Sequence, residues 1–320
     1  MKKRLLLAVA LLAACASGCV LDVDDGTGDD DDVDVGEVST SLVSENGKSL
    51  NGTSFNGISL NGKSLNGKSL NGISLNGKSL NGTALSGVTL TSTNFTGTVN
   101  NVAVTNWVGV QFPGTMSDGT PIQLRIDSKT TLAAPNNDIS AYGVSYQTST
   151  GWAPLCGAAT TLAIPINGTF NYAAGVAGGG SYTAGTSFTW ACRATAIAKC
   201  VELGYKPWKT VNGVNLANHM VACTRMLRAD FCGDGRSWTI DGTQINLYDK
   251  VGLQSDAATW TVEAEWTKDG AKRVNASWET RWTLNGGFPP SCYITRVDML
   301  NIGKTANFNN GTLLMSEYKQ

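Results

Sequence analysis

A repeat with a period of five residues places the strongest constraint on the fold of the N-terminal part of this 320-residue chain. An apolar residue stands at every fifth position, and the early intervals read Asn-Gly-X-Ser. Ten residues form this column: Leu50, Phe55, Leu60, Leu65, Leu70, Leu75, Leu80, Leu85, Leu90 and Phe95. An α-helix repeats every 3.6 residues and a strand every two, so neither element explains the pattern. The repeat therefore predicts a regular architecture of its own over residues 38–97.

This segment resembles a divergent pentapeptide repeat. The resemblance implies a short right-handed β-helix with four five-residue sides in each coil, in which the column of Leu and Phe points inward. Ten repeats would form a stub only about 12 Å tall, because neighbouring coils lie ~4.8 Å apart. So short a stub needs a neighbour to cap it. We interpret the segment as a spacer or pedestal, with a flexible Gly- and Ser-rich linker as the alternative.

The N-terminus is typical of an export signal. A basic stretch, Lys2–Arg4, precedes an apolar run, Leu5–Leu12, that is too short to span a bilayer. The run ends in Leu-Ala-Ala-Cys, which resembles the lipobox of bacterial lipoproteins. This resemblance implies that residues 1–14 are a signal peptide and that Cys15 is lipidated. A second candidate at Cys19 fits the pattern less well, and an ordinary secretory peptide is the alternative.

A strongly acidic stretch follows the predicted anchor. Residues 15–37 contain eight aspartates and one glutamate and little that could form a core, so we predict an extended, solvated tether. The spacing of the aspartates does not match a calcium-binding EF-hand loop. After Glu37 the chain carries 21 Lys and Arg against 16 Asp and Glu, without a basic run. This distribution does not indicate nucleic-acid binding.

Residues 98–320 have the composition of a folded, disulfide-containing domain. All nine tryptophans lie in this part of the chain. Six cysteines in an exported chain predict a disulfide framework, and they are Cys156, Cys192, Cys200, Cys223, Cys232 and Cys292. Apolar and polar residues alternate in "TWTVEAEWT" and "SWETRWTL", which predicts two strands with Glu263 and Glu265 on a solvated face. Short Thr- and Val-rich runs before Trp190 predict further antiparallel sheet.

Two segments have helical rather than strand periodicity. "CRATAIAKCVELG" and "NLANHMVACTRML" each place apolar residues on one stripe, and Asn215 precedes the second segment as a possible cap. These segments predict two short helices that form a hairpin. The predicted fold class is α+β: a β-rich, disulfide-stabilised domain with a short helical hairpin, preceded by the short pentapeptide-like β-helix.

The helical hairpin suggests how the six cysteines pair. If the chain turns near Lys209, Cys200 and Cys223 face each other across the hairpin. Cys192 and Cys232 then lie together at its open end, and Cys156 remains for Cys292. Six cysteines allow 15 pairings, so this connectivity is one prediction among many.

Several blocks in this domain resemble one exported family. The run Ala229–Cys232, with Arg228 before it and Gly-Asp-Gly after it, resembles the Ala-Asp-Tyr-Cys signature of the ADYC-domain family of Gram-negative bacteria. "AKCVELGYKPW", "WTIDGTQINLYD" and "EAEWTKDGA" match the family pattern in order, over roughly residues 101–301. Phe231 replaces the signature tyrosine and removes its hydroxyl, and Lys272 and Arg273 stand where the family tends to have a cysteine. The resemblance implies an architecture but no particular activity.

The sequence offers few candidates for catalysis. His219, the only histidine, could act as a base with Asp230 or Asp234, with Ser237 near by. His219 and Cys223 have the spacing of two metal ligands on a helix, but oxidised cysteine cannot bind a metal. We therefore predict no metal and no cofactor.

Two carboxylates on one strand, Glu263 and Glu265, could also be considered for glycoside hydrolysis. A structural interpretation accounts for all of these residues without catalysis. Cys232 ties down the end of a helix, the glycines form turns, and Asp230 pairs with Arg225 or Arg228.

The function that these patterns favour is display of a domain at the cell surface. We predict a lipoprotein anchored in the bacterial cell envelope, at the outer membrane, which presents a binding or structural domain of unknown ligand. Its predicted partners are the membrane, through the lipid anchor, and an envelope protein or a glycan. A glycan partner would require exposed tryptophans. The alternative is a cell-envelope hydrolase with a site around His219, Asp230 and Asp234.

Overall fold

The computed structural model describes most of the chain after residue 81. The longer described ranges are 82–115, 121–193, 195–239, 243–255 and 260–276, and the shorter ones are 44–45, 59–60, 63–64, 281, 292, 294–297, 308 and 310–318. All of them lie within one compact unit, Asp31–Gln320. Within these ranges, no helix is long and apolar enough to span a membrane. The predicted signal peptide, Cys15 and the acidic tether lie outside the described residues.

The first large sheet, called here the N-terminal sheet, is antiparallel and holds six strands. Its strands are β7 (Gln111–Thr115), β8 (Pro121–Thr131), β9 (Ser140–Thr148), β10 (Gly151–Pro154), β11 (Ala163–Phe170) and β12 (Tyr182–Cys192). They run in the order β12-β11-β9-β8-β7, and β10 pairs with β9. Successive side chains of a strand point to opposite faces, and β9, β11 and β12 each contain a continuous run of buried residues, so the sheet contacts a different core on each face.

The second large sheet, called the C-terminal sheet, draws strands from both ends of the described chain. Its strands are β1 (Ser44–Glu45), β15 (Gln244–Asp249), β16 (Thr261–Thr267), β17 (Gly270–Asn275), β18 (Thr295–Val297) and β19 (Leu314–Tyr318). They run in the order β1-β15-β19-β16-β17-β18. All pairs are antiparallel except β17 with β18.

Two helices lie between the sheets in sequence, as predicted. They are α1 (Ala196–Glu202) and α2 (Ala217–Arg228). A small hairpin of β13 (Thr210–Val211) and β14 (Val214–Asn215) separates them. Its turn has positive φ at Asn212 and Gly213, which is the conformation that an Asn-Gly hairpin turn favours. The predicted β-rich domain with two short helices is therefore confirmed.

The described part of the repeat does not have the strand pairing of a β-helix. Strands β2 (Ser59–Leu60) and β3 (Lys63–Ser64) pair antiparallel, and so do β4 (Ser86–Thr91), β5 (Asn94–Val99) and β6 (Val102–Ala103). Coils of a β-helix stack in parallel, so the prediction is wrong for these residues. Strand β5 also runs across the boundary predicted between residues 97 and 98. The other repeat residues before 82 lie outside the described part.

The apolar column nevertheless points inward where it is described. Leu85, Leu90 and Phe95 are buried, and Leu90 lies directly opposite Phe95 in the β4–β5 hairpin. The Phe95 ring contacts the rings of Trp107 and Phe112 at centroid distances of 5.4 and 5.2 Å. The sheet of β4, β5 and β6, called here the small sheet, thus covers a core on one face of the N-terminal sheet. In this part of the repeat, the apolar residues spaced by five lie in a hairpin that packs on an aromatic cluster.

The other core lies around the helices. It joins apolar residues of α1 and α2 to the opposite face of the N-terminal sheet and to the C-terminal sheet. Ile164 and Ala191 belong to this core, whereas Ala163 and Cys192 next to them belong to the core under the small sheet. The helices therefore connect the two sheets through one continuous core.

The disulfides follow this two-sided arrangement and correct two of the three predicted pairings. Cys200 pairs with Cys223 and joins the helices, as predicted, with a Cα–Cα distance of 5.8 Å. Cys192 pairs with Cys156 rather than Cys232, and Cys232 pairs with Cys292 rather than leaving Cys292 for Cys156. The prediction was wrong because Cys192 points away from the helices, to the face on which Cys156 lies.

The strand predicted from "TWTVEAEWT" is present as β16, but its polar face is not solvated. Glu263 and Glu265 are buried, like Ala264 between them. In "SWETRWTL" the structure describes only Arg281, whose backbone is helical, so the strand prediction is wrong at that position. The rest of that segment lies outside the described residues.

Candidate functional site

The candidate site is the loop that follows α2, residues 229–235, called here the signature loop. The helix ends at Arg228, and the next residue, Ala229, has a left-handed conformation with φ 53° and ψ 38°. The backbone N–H groups of Ala229 and Asp230 donate back to the last turn, where the carbonyl of Arg225 accepts from Asp230 at 2.8 Å. This geometry ends many helices, although glycine usually occupies the left-handed position. The turn directs Asp230 back toward the helix end.

The Asp230 carboxylate is completely buried, and the groups around it are hydrogen-bond donors. Arg225 Nη1 lies 2.5 Å from Oδ2, and the backbone N–H groups of Gly235 and Asp234 donate at 3.0 and 3.1 Å. Burial raises the pKa of Asp230 above the usual range of an aspartate, while Arg225 and Arg228 act in the opposite direction. Because each contact is with a hydrogen donor, the geometry fits the ionised carboxylate. All of these contacts are internal to the domain.

The two arginines of the last turn of α2 also donate hydrogen bonds within the domain. Arg225 Nε donates to the carbonyl of Lys268 at 2.5 Å, and its Nη1 also reaches the carbonyl of Gly179 at 3.0 Å. Arg228 Nη2 donates to the carbonyl of Gly235 at 2.8 Å, and burial lowers the pKa of Arg228 to about 10. The signature loop is thereby joined to two other loops, at residues 179 and 268. Positive charge at a helix C-terminus is also favourable.

Close backbone packing explains the glycines of the signature loop. Gly233 has φ +66°, and a Cβ there would overlap the carbonyl oxygen of Asp269. The N–H of Ala271 donates to the carbonyl of Phe231 at 2.9 Å, and the N–H of Gly175 donates to that of Asp234 at 2.8 Å. The loop is therefore wedged between the β16–β17 turn and a glycine-rich loop near residue 175.

The last two residues of the signature complete the attachment. Phe231 is buried and its ring lies 5.0 Å from that of Trp266 on β16. Cys232 forms the disulfide with Cys292. Each residue of the Ala-Asp-Phe-Cys run thus has a structural role: a left-handed helix end, a buried anion, an aromatic contact and a covalent bond.

His219, the predicted general base, lies in a different environment near the start of α2. It is 3% exposed, and its ring stacks on that of Tyr205 with centroids 6.1 Å apart. Its Nδ1 is buried without a hydrogen-bond partner among the described residues. Burial lowers the pKa of His219, and the charge of Asp249 partly opposes this shift.

Asp249 organises this second environment. Its carboxylate accepts a hydrogen bond from Tyr205 Oη at 2.8 Å and from four backbone N–H groups at 2.7–3.2 Å. Burial and the nearby Asp249 raise the pKa of Tyr205 well above its usual range. Sequence reasoning missed both residues, since nothing in "NLYDKVGLQ" separates this aspartate from an ordinary turn residue.

The predicted hydrolase residues do not come together. The helical segment from His219 to Arg228 rises about 14 Å, so His219 and Asp230 lie near opposite ends of α2. Asp234 Oδ1 accepts the N–H of Arg236 at 3.0 Å, and Ser237 Oγ donates to the carbonyl of Arg228 at 2.9 Å. Among the residues that the structure describes, no cluster of His, Cys, Asp or Glu could hold a metal ion.

The carboxylates considered for glycoside hydrolysis are each held by an arginine. Arg281 Nε and Nη2 donate to Glu263 at 2.7 Å, and Arg273 Nε donates to Glu265 at 2.7 Å. Arg281 Nη2 also donates to the carbonyl of Met226 at 2.8 Å, so this side chain caps the last turn of α2. Sequence reasoning missed Arg281, because its partners lie about 18 and 55 residues earlier in the chain.

Comparison with known proteins gives one finding. A family model described as the ADYC domain matches residues 104–280. That range contains both helices, the signature loop and the strands from β7 to β17. Comparisons with curated proteins and with solved structures gave no match.

Proposed function

The chain belongs to the ADYC domain family, and from this premise we propose that it is an exported lipoprotein that displays a rigid, non-catalytic domain on the cell envelope. The observation that carries the proposal is the signature loop itself. Of its two aspartates, Asp230 is fully buried and is bound by Arg225 and two backbone N–H groups. A carboxylate with these bonds serves to fix a loop rather than to move a proton.

The covalent framework supports export. All six cysteines of the domain are joined in three disulfides. Disulfides persist in oxidising compartments, which include the bacterial periplasm and the cell surface. The basic and apolar leader of residues 1–12 agrees with that destination.

The N-terminal segments would connect the domain to the membrane. In this proposal Cys15 carries the lipid, and residues 16–43 reach about 90 Å when extended. Strand β1 at Ser44–Glu45 pairs with β15, so the tether would meet the domain at the edge of the C-terminal sheet. The repeat would then connect β1 to β4 rather than serve as a pedestal between the anchor and the domain.

The partner we propose is an envelope protein rather than a glycan. Glycan-binding surfaces present exposed aromatic rings. None of the seven described tryptophans is fully exposed. Trp152, which is partly exposed, has the Arg125 guanidinium 4.4 Å from its ring centroid.

Replacement of the proposed lipid-bearing residue tests the anchor. We expect Cys15→Ser to move the protein from the membrane fraction to the soluble envelope fraction and to abolish incorporation of labelled palmitate. Cys19→Ser is the matched control and should change neither measurement. Membrane retention of Cys15→Ser, together with an unlabelled parent protein, would show that the chain is not a lipoprotein.

A further inference from the structure

We propose that the face of the N-terminal sheet around Arg125 is a docking site for a carboxylate of a partner protein, and that Arg125 binds this group through both of its terminal nitrogens. The inference rests on the envelope-protein partner proposed above and names the surface that receives it. It does not depend on the lipid anchor. The residues that carry it lie in β8, β9 and β10.

Arg125 lies on the side of the sheet that the small sheet does not cover. Its neighbours on β8, Leu124 and Ile126, belong to the core under the small sheet, and successive side chains of a strand point to opposite faces. Asp127 is exposed, and the side chain of Arg125 is 29% exposed. This part of the sheet face is therefore open to solvent in the described structure.

Three contacts fix the direction of the Arg125 side chain. Arg125 Nε donates to Asp127 Oδ1 at 2.5 Å, and Ser145 Oγ on β9 donates to the other oxygen of that carboxylate. The guanidinium carbon lies 4.4 Å from the centroid of the Trp152 ring on β10. Among the described residues, neither Nη1 nor Nη2 of Arg125 has a hydrogen-bond partner. The side chain is thus held at Nε and over the ring, and its two terminal nitrogens stay available.

The available edge of this guanidinium fits a carboxylate. Two parallel N–H groups of an arginine match the two oxygens of a carboxylate, and such bidentate bonds are among the strong hydrogen bonds of proteins. A side chain that is already oriented loses less conformational entropy on binding. Tryptophan and arginine are also enriched among the residues that dominate the binding energy of protein interfaces.

The same contacts favour a protein carboxylate over two other ligands. A neutral glycan offers no anion, and the guanidinium already occupies a face of the Trp152 ring, where a sugar would stack. A phosphate dianion carries more negative charge than the site can balance, because Asp127 already offsets the charge of Arg125.

Titration of the full-length, oxidised protein with two matched peptides tests the site. The probes are acetyl-Gly-Glu-Gly-amide and acetyl-Gly-Gln-Gly-amide, and the signals are the side-chain N–H peaks of Arg125 and Trp152 in proton–nitrogen correlation spectra. We expect the glutamate peptide to shift both peaks saturably and the glutamine peptide to leave them unchanged. Equal shifts with both peptides, no shift with either, or tighter binding of inorganic phosphate than of the glutamate peptide would overturn the proposal.

Paired arginine variants test the role of the two terminal nitrogens. Arg125→Lys keeps the positive charge but loses the bidentate geometry, so the affinity for the glutamate peptide should fall about tenfold or more. Arg236→Lys is the matched control, since the Arg236 side chain is 50% exposed and also lies beside an aspartate, Asp234. This control should keep the affinity of the parent. Equal losses in the two variants would show that the peptide responds only to general charge.

A second pair of variants leaves the arginine in place. Gln147 is exposed and lies directly opposite Trp152, so the carboxylate of Gln147→Glu would compete for the guanidinium and lower the affinity about tenfold. Thr130→Glu adds the same charge at an exposed position near the end of β8 and should leave the affinity unchanged. An unchanged affinity in Gln147→Glu would contradict docking at this face.

Cross-linking in cells tests the kind of partner. A photoreactive residue in place of Gln147 should link the full-length protein to an envelope protein through a peptide that contains a carboxylate, and Arg125→Lys should abolish the adduct. A glycan adduct, an adduct that survives Arg125→Lys, or no adduct would overturn the proposal. The Cys15→Ser experiment does not affect the peptide titration, so failure of the anchor and failure of this surface can be told apart.

Discussion

The two ends of α2 hold their charged and polar groups in opposite ways. At the C-terminal end, Arg225, Arg228 and Arg281 all bind carbonyls or carboxylates, and Asp230 has three donors. At the N-terminal end, His219 is buried against Tyr205 with one ring nitrogen that has no partner among the described residues. One end is saturated with hydrogen bonds, and the other keeps a group that can still take up a proton.

The difference indicates where the domain gains stability and where it responds to conditions. Arginine is charged at all physiological pH values, so the C-terminal end should be insensitive to mild acid and sensitive to loss of a partner. A buried neutral histidine should instead be sensitive to mild acid, because protonation creates a buried charge with few groups to bind it. Four substitutions test this contrast, in decreasing order of expected effect.

Removal of the Asp230 charge should have the largest effect. We expect Asp230→Asn to lower the free energy of unfolding by about 3–5 kcal/mol, because two buried guanidinium groups lose their anion. Urea unfolding of the oxidised protein at pH 7 measures this change. Asp234→Asn is the control, since Asp234 is only partly buried and its carboxylate caps a single turn. A loss at Asp234 as large as that at Asp230 would contradict the assignment of the buried anion.

A methyl group in the signature loop should have the next largest effect. Gly233→Ala should cost about 3 kcal/mol, because the new Cβ meets the Asp269 carbonyl and the backbone is left-handed. Gly213→Ala has a similar φ, +79°, but open space around it, so it should cost only about 1 kcal/mol. Thermal unfolding of both variants separates the close contact from the backbone strain. Equal losses would mean that the loop is not wedged against the β16–β17 turn.

Only part of the C-terminal end of α2 could be predicted from the sequence. Local signals were sufficient for both helices, for the pairing of Cys200 with Cys223 and for the structural interpretation of Asp230 with Arg225. Alternation in β16 predicted a wet face for Glu263, yet this carboxylate is buried by Arg281 from later in the chain. No local pattern encodes such a partner, because the contact forms only after the helix and sheet pack together.

The cysteine pairings failed for a related reason. The predicted pairing considered only the helical hairpin. Cys192, however, lies at the end of β12 and points to the face of the N-terminal sheet opposite the helices. Strand direction and sheet order, which the sequence does not specify, decide which face a terminal residue occupies. The same limit applies to the repeat, whose inward column was predicted but whose antiparallel pairing was not.

The third prediction concerns pH and the N-terminal end of α2. The folded state holds the pKa of His219 below its ordinary value of about 6.5, so the unfolded chain takes up the proton first as pH falls. His219 should therefore cost no stability above about pH 6.5 and up to ~1.4 kcal/mol per pH unit below it, until the pH reaches the lowered pKa.

Comparison with an untitratable ring isolates this contribution. His219→Phe keeps an aromatic ring against Tyr205, and the difference in unfolding free energy between variant and parent should grow by about 1 kcal/mol from pH 7 to pH 5.5. Asp249 is present in both proteins, so its contribution cancels to first order. If the unfolding free energies of variant and parent changed in parallel between pH 7 and pH 5.5, the acid response of the domain would not come from His219.

The smallest expected effect tests the cap that begins the same helix. Asn215 Oδ1 accepts the N–H of Ala217 at 2.9 Å, although Leu216 is the residue that directly precedes the helix. Asn215 is exposed, so water replaces this bond readily, and Asn215→Ala should cost only about 0.5–1 kcal/mol. Asn215→Asp keeps the acceptor and adds a negative charge where the helix N-terminus favours one, so it should retain or slightly raise stability. If alanine and aspartate proved equally destabilising, the start of α2 would depend on its burial alone. The two ends of α2 would then differ more than their hydrogen bonds indicate.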